Sequence, residues 1–83
     1  MQIKREATPG LPEYFTVRFD ANEFVTASGK RIPYAFTAGT IARAAGGKIK
    51  LNVWTPAASV PRDYRKAAKL WLEFAANQQF GSK

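Results

Sequence analysis

Residues 13–21 read EYFTVRFDA, and in them Phe15, Val17 and Phe19 alternate with Tyr14, Thr16, Arg18 and Asp20. That period of two predicts a strand buried on one face. After a break at Ala21 and Asn22, EFVTA (23–27) predicts a second strand. SGKR (28–31) then supplies a tight connection, where Gly29 can take a positive φ. IPYAFTA (32–38) continues as a third strand with Ile32, Tyr34 and Phe36 on one face. Pro33 cannot donate to a sheet ladder, which places it on an edge strand or where the backbone faces outward. GTIARAAGG (39–47) has no clear period and reads either as one helical turn or as a loose crossover closed by Gly46 and Gly47. In KIKLNVW (48–54), Ile49, Leu51 and Val53 alternate with Lys48, Lys50, Asn52 and Trp54. One face of that strand belongs to a core. The other presents two ammonium groups, an amide and an indole.

The longest pattern is SVPRDYRKAAKLWLEFAANQQ (59–79). Ser59 is suited to cap a helix, Pro61 is tolerated in its first turn, and Asp63 lies where the helix dipole favours an anion. Tyr64, Ala67, Ala68, Trp71, Phe74 and Ala75 recur at helical spacing and form an apolar stripe, with Trp71 expected in the core. Arg62, Arg65, Lys66 and Lys69 occupy much of the opposite side, and Gly81 ends the run. Residues 1–12, with Pro9, Gly10 and Pro12, read as a lead-in arm. The expected order is three strands, a connector, a fourth strand and a helix, all within one small basic domain over 1–83. This is an α+β fold: a small antiparallel sheet of about four strands with the C-terminal amphipathic helix packed on one face.

Composition narrows the chemistry. A chain of 83 residues buries only roughly 60–65% of the surface it exposes unfolded, so a deep water-excluding cleft is hard to build. It is still meant to fold, because 46% of it is hydrophobic and eleven residues are aromatic. Histidine and cysteine are both absent, which removes the usual general base, the thiolate nucleophile and the commonest metal ligands. The six carboxylates are scattered, with no close pair for acid–base work. ASGKR and AAGGK are glycine-rich but lack the spacing of a phosphate-binding loop. The expectation is a non-enzymatic protein without cofactor or metal. No signal-like or membrane-spanning apolar run is present, so a cytoplasmic protein with no membrane partner is expected.

Charge changes the picture most. The net charge is +7, and it is unevenly spread. Residues 1–23 hold three basic against four acidic side chains, whereas 24–83 hold ten against two. Such asymmetry points to an anionic partner. Phosphates are held by Lys and Arg, and unpaired bases stack on aromatic rings, so a single-strand binder needs both on one surface. Lys48, Lys50 and Trp54 meet that need if the outer face of their strand is solvated. The alternative for Trp54 is cover by the helix. Lys30 and Arg31 would add a basic finger, and Arg62, Arg65, Lys66 and Lys69 would extend the electrostatic track. The latter four equally fit the solvated side of an ordinary amphipathic helix. Tyr34 shares its parity with two apolar neighbours and reads as core or as a stacking platform.

SGKRIPYAF, residues 28–36, resembles the DNA-contacting wing of the small single-stranded DNA-binding proteins of filamentous phages. Those wings carry a Gly, a basic or polar residue, then Pro-Tyr and a large apolar residue in a β-hairpin. The resemblance implies DNA contact through Lys30, Arg31 and Tyr34, and a dimeric five-stranded OB-type barrel. Here Arg31 and Ile32 lengthen the spacing before Pro33, and a C-terminal helix is added. The reading is therefore a nucleic-acid-binding protein, with single strands favoured over duplex, in which an edge strand could also pair two copies as a homodimer. The alternative is a small phage or mobile-element inhibitor or adaptor whose basic surface binds an acidic surface of a host protein.

Overall fold

The computed structural model describes residues 1–6, 13–44, 46–56 and 58–81. Four strands and one helix follow one another: β1 (Gln2–Arg5), β2 (Glu13–Phe19), β3 (Phe36–Arg43), β4 (Ile49–Val53) and α1 (Tyr64–Phe80). Each strand pairs antiparallel with the next, so the sheet order is β1-β2-β3-β4. With α1 laid across one face, the architecture is the α+β arrangement that the pattern predicts.

The strands themselves differ in two places. The first is β1, which lies inside the stretch read as an arm. Gln2, Ile3, Lys4 and Arg5 pair with Arg18, Val17, Thr16 and Phe15. A four-residue edge strand with one half-buried apolar side chain carries too short an alternation to stand out. The remainder of that arm, residues 7–12, lies outside the described residues.

The second difference concerns 23–47. EFVTA and residues 32–35 of IPYAFTA are not sheet strands, whereas Phe36, Thr37 and Ala38 of the latter open β3. They form the two arms of a hairpin closed by backbone bonds from Asn22 to Ile32 and from Thr26 to Lys30, with a single bridge between Val25 and Arg31. Phe24 and Ile32 are its two fully buried side chains. The true third strand begins at Phe36 and runs through the segment read as a helical turn or crossover. Ala38 to Ala42 are all buried, as expected of a central strand covered on both sides, so no alternation marks it. Gly39 has a physical reason to be there. A Cβ at this position would stand 1.9 Å from the Asn52 carbonyl oxygen and 2.9 Å from Leu72 Cδ1, so only glycine lets β4 and α1 approach this closely. The register also shifts between Val17 and Arg18, leaving Ala38 as a bulge in β3.

The core lies between the sheet and α1. Phe15, Val17, Phe19 and Ile41 supply the sheet side, and Tyr64, Ala67, Ala68, Leu72, Ala75 and Ala76 the helix side. Phe19, Phe24, Phe36, Tyr64 and Trp71 form a connected cluster of rings 5.0–6.2 Å apart, mostly edge-to-face or tilted. Trp71 sits at its margin, with its indole N–H donating to the Val25 carbonyl at 3.1 Å. The helical stripe is rotated from the predicted one. Leu72 is fully buried, whereas Phe74 is 47% exposed. Ser59 is not the cap, since α1 starts at Tyr64 with Asp63 in the capping position and no side-chain cap bond. Gly81 closes the helix as predicted, left-handed, with its N–H on the Asn77 carbonyl. Near that end Arg43 pairs with Glu13 at 2.7 Å and lies 5.2 Å over the Phe80 ring.

Candidate functional site

The face of the sheet turned away from α1 is set by the register. Lys4, Thr16, Thr40 and Asn52 line up as one row across all four strands. Beside it run the rows Tyr14–Ala42–Lys50 and Gln2–Arg18–Thr37. Among the described residues, α1 and the hairpin both occupy the other side of the sheet. On the outer face Lys4, Arg18, Lys50 and Asn52 are exposed, Thr16 and Thr37 are half-buried, and Thr40 and Ala42 at its middle are buried. Glu6 closes its corner, accepting from the Thr16 hydroxyl at 3.3 Å. Trp54 follows β4 with the same parity as Lys50 and Asn52, is 45% exposed, and enters no ring pair among the described residues. Tyr14 is half-buried on the same face.

Two of the ten residues singled out from sequence, Lys50 and Trp54, share this surface, and Lys48 precedes it at the exposed start of β4. The sequence reading missed Lys4, Arg18 and Tyr14. Arg18 and Tyr14 were visible on the polar side of a well-marked strand, but nothing in one strand's pattern says which neighbours it will meet. Lys4 was hidden with β1.

The remaining seven lie on the helix side. The Ser28 amide donates to the Asp63 carboxylate at 3.2 Å, which brings the hairpin tip to the start of α1. Lys30 and Arg31 follow Ser28 in the hairpin, and Arg62 precedes Asp63. Arg31 is partly committed, because its guanidinium donates to the Asn22 carbonyl at 2.9 Å. Arg65, Lys66 and Lys69 are exposed along α1. Tyr34 is half-buried against Phe36 and its hydroxyl donates to the Ser59 carbonyl at 3.0 Å, so this ring is anchored to the segment leading into the helix. Among the described residues, none of these lysines and arginines forms an ion pair with a side chain; the carboxylate pairs are those of Glu13 with Arg43 and of Glu23 with the Met1 amino group. Cations left without carboxylate partners keep counterions that a polyanion can displace.

Two adjacent groups at the start of α1 have shifted pKa values. The Asp63 carboxyl is slightly desolvated, which pushes its pKa up, but bonds from Ser28, from its own amide and from the Thr26 hydroxyl outweigh this and hold it below the usual value. The Tyr64 hydroxyl is pushed up to about 12, chiefly by burial, and donates to the Trp54 carbonyl. Among the described residues no group of three or more carboxylates is placed to hold a metal ion, and no helix is long and apolar enough to cross a membrane.

Comparison of the chain with protein-family models, with curated proteins and with solved structures finds no match.

Proposed function

We propose that this protein binds nucleic acid, single strands in preference to duplex, on the outer face of its sheet. The observation that carries the reading is the sheet face opposite α1, where Lys4, Arg18, Lys50 and Asn52 are exposed around the buried Thr40 and Ala42 and beside Trp54, which is 45% exposed. The cations neutralise phosphates, the exposed Asn52 amide accepts from and donates to sugar and base edges, and the indole offers a flat surface to an unpaired base. A gently twisted sheet suits a flexible single strand better than a duplex, because separated bases can reach the ring while the backbone follows the lysines. Lys48 extends the track at the start of β4. The hairpin contacts implied by the phage resemblance, Lys30, Arg31 and Tyr34, belong to the other layer, so a strand reaching them must pass around the edge of the molecule.

The test is fluorescence anisotropy with labelled single-stranded and duplex oligonucleotides at several salt concentrations. Lys4→Glu with Lys50→Glu should weaken single-strand binding at least about tenfold and lower the salt slope by about 1.4, the share of two phosphates. Trp54→Ala should cost about 1–3 kcal/mol if a base stacks there. Lys66→Glu with Lys69→Glu, on the other layer, should change affinity less than about threefold. Unchanged affinity in the sheet-face variant, with its circular-dichroism spectrum intact, would rule the reading out.

A further inference from the structure

On the helix side an apolar groove of about 450 Å³ runs between α1 and the hairpin. Its helix wall is Ala67, Leu70, Trp71 and Phe74, and its hairpin wall is Val25, Thr26 and Ala27. Leu70 and Phe74 are 56% and 47% exposed, one turn apart, and nothing in the core requires them to be large. Exposed large apolar side chains gathered along a groove mark a docking surface more often than isolated ones do.

The surroundings say what kind of partner fits. Lys66 lies one helical turn before Leu70, and Lys30 is bonded through its backbone to Thr26 in the opposite wall. Arg62 adjoins Asp63, whose carboxylate accepts from the amide of Ser28, next in sequence to Ala27 of the hairpin wall. The acids nearby are Asp63, whose carboxylate already accepts the Ser28 amide, and Glu73 beside Phe74. An apolar slot with a basic margin complements a segment carrying apolar anchors among carboxylates. A second copy of the chain is the poorer occupant. Seven lining residues fall short of the roughly 20–30 per side of a stable dimer, and each copy carries +7.

We propose that this groove docks an acidic amphipathic segment of a partner protein, which lays large apolar side chains between Leu70, Phe74 and Val25 and sets carboxylates against Lys66, Lys30 and Arg62. The mode is helix-in-groove recognition, with anchors one turn apart on the incoming segment. Charge on the margin speeds encounter and selects the sign of the partner, while the two apolar anchors supply most of the affinity. The groove lies in the other layer from the outer sheet face, so this inference stands apart from the nucleic-acid reading. It gives the acidic-partner alternative raised by the charge distribution a place on the molecule.

The test is selection of random peptides of about 15 residues, some four helical turns, displayed on phage against the whole protein. Binders should be enriched in Asp and Glu, with Leu, Phe or Trp spaced three or four apart. Their synthetic versions should bind Leu70→Glu with Phe74→Glu at least about tenfold more weakly. Lys66→Glu should cost a smaller, salt-dependent factor. The milder pair Leu70→Ala with Phe74→Ala replaces the glutamate pair if the latter lowers the melting temperature. No enrichment, enrichment without an acidic bias, or peptides that bind the groove variants as well as the parent would each overturn the proposal. So would a dimer, seen by sedimentation equilibrium, that dissociates when Leu70 and Phe74 are changed, since the second copy would then be the occupant.

Discussion

At Gly39 two strands and the helix come within contact of one backbone position. The clash that a side chain would make is with the carbonyl of Asn52, a part of β4 that cannot swing aside. Gly39→Ala should therefore cost at least about 3 kcal/mol in urea unfolding, the upper end of ordinary overpacking. Asp63 and Tyr64, adjacent in sequence, limit stability at opposite ends of the pH scale. The native pKa of Asp63 is lowered, so its contribution is present above 3.8 and is lost as pH falls through the native value. That of Tyr64 is raised, so its contribution is present below 10.0 and is lost as pH rises toward about 12. Thermal melts across pH should show Asp63→Asn flattening the acid limb and Tyr64→Phe flattening the alkaline one. An unchanged acid limb in Asp63→Asn would mean the tie to Ser28 carries no stability.

Elements were legible where one face of each meets water. β2 and β4 are half-exposed, and their alternation located them to within a residue or two. β3 is buried on both faces and contains two small residues and a glycine at its centre, so periodicity had nothing to report. The hairpin arms, in contrast, look like strands because Phe24 and Ile32 plunge into the core, yet their backbones bond mainly to each other. The helix was found, but its stripe was set a fraction of a turn off. Trp71 does pack against the core rings, but Phe74 is 47% exposed while Leu72 and Ala76 are buried in its place. The structure separates the two kinds of position cleanly. Leu72→Ala should cost about 2–5 kcal/mol by chemical denaturation. Leu70→Ala should stay within about 0.5 kcal/mol, since its side chain already faces solvent. Equal losses at both sites would mean that α1 sits differently on the sheet.

Across the whole molecule, the basic residues that sequence grouped together divide between two layers. Sequence alone shows the total of +7 and its bias to positions after 24, because charge is a sum over residues. Which charges share a surface depends on register and on the side the helix covers, and neither is written in any one segment. Lys4, Arg18 and Lys50 come from three strands that meet only on folding, whereas the hairpin that carries Lys30 is tied to the start of α1 by the bond between Ser28 and Asp63. On the two proposals above, this division gives a small scaffold two addresses, one for phosphates and bases and one for an acidic apolar segment.

The two tryptophans fall one to each address. Trp54 is 45% exposed beside the outer face, while Trp71 is half-buried in the groove wall with its N–H on the Val25 carbonyl. Their indoles differ in polarity and in access to quenchers, so their emission separates by wavelength and by iodide accessibility. The protein thus carries its own pair of optical labels, and replacing either ring with phenylalanine leaves a native reporter that watches a single surface.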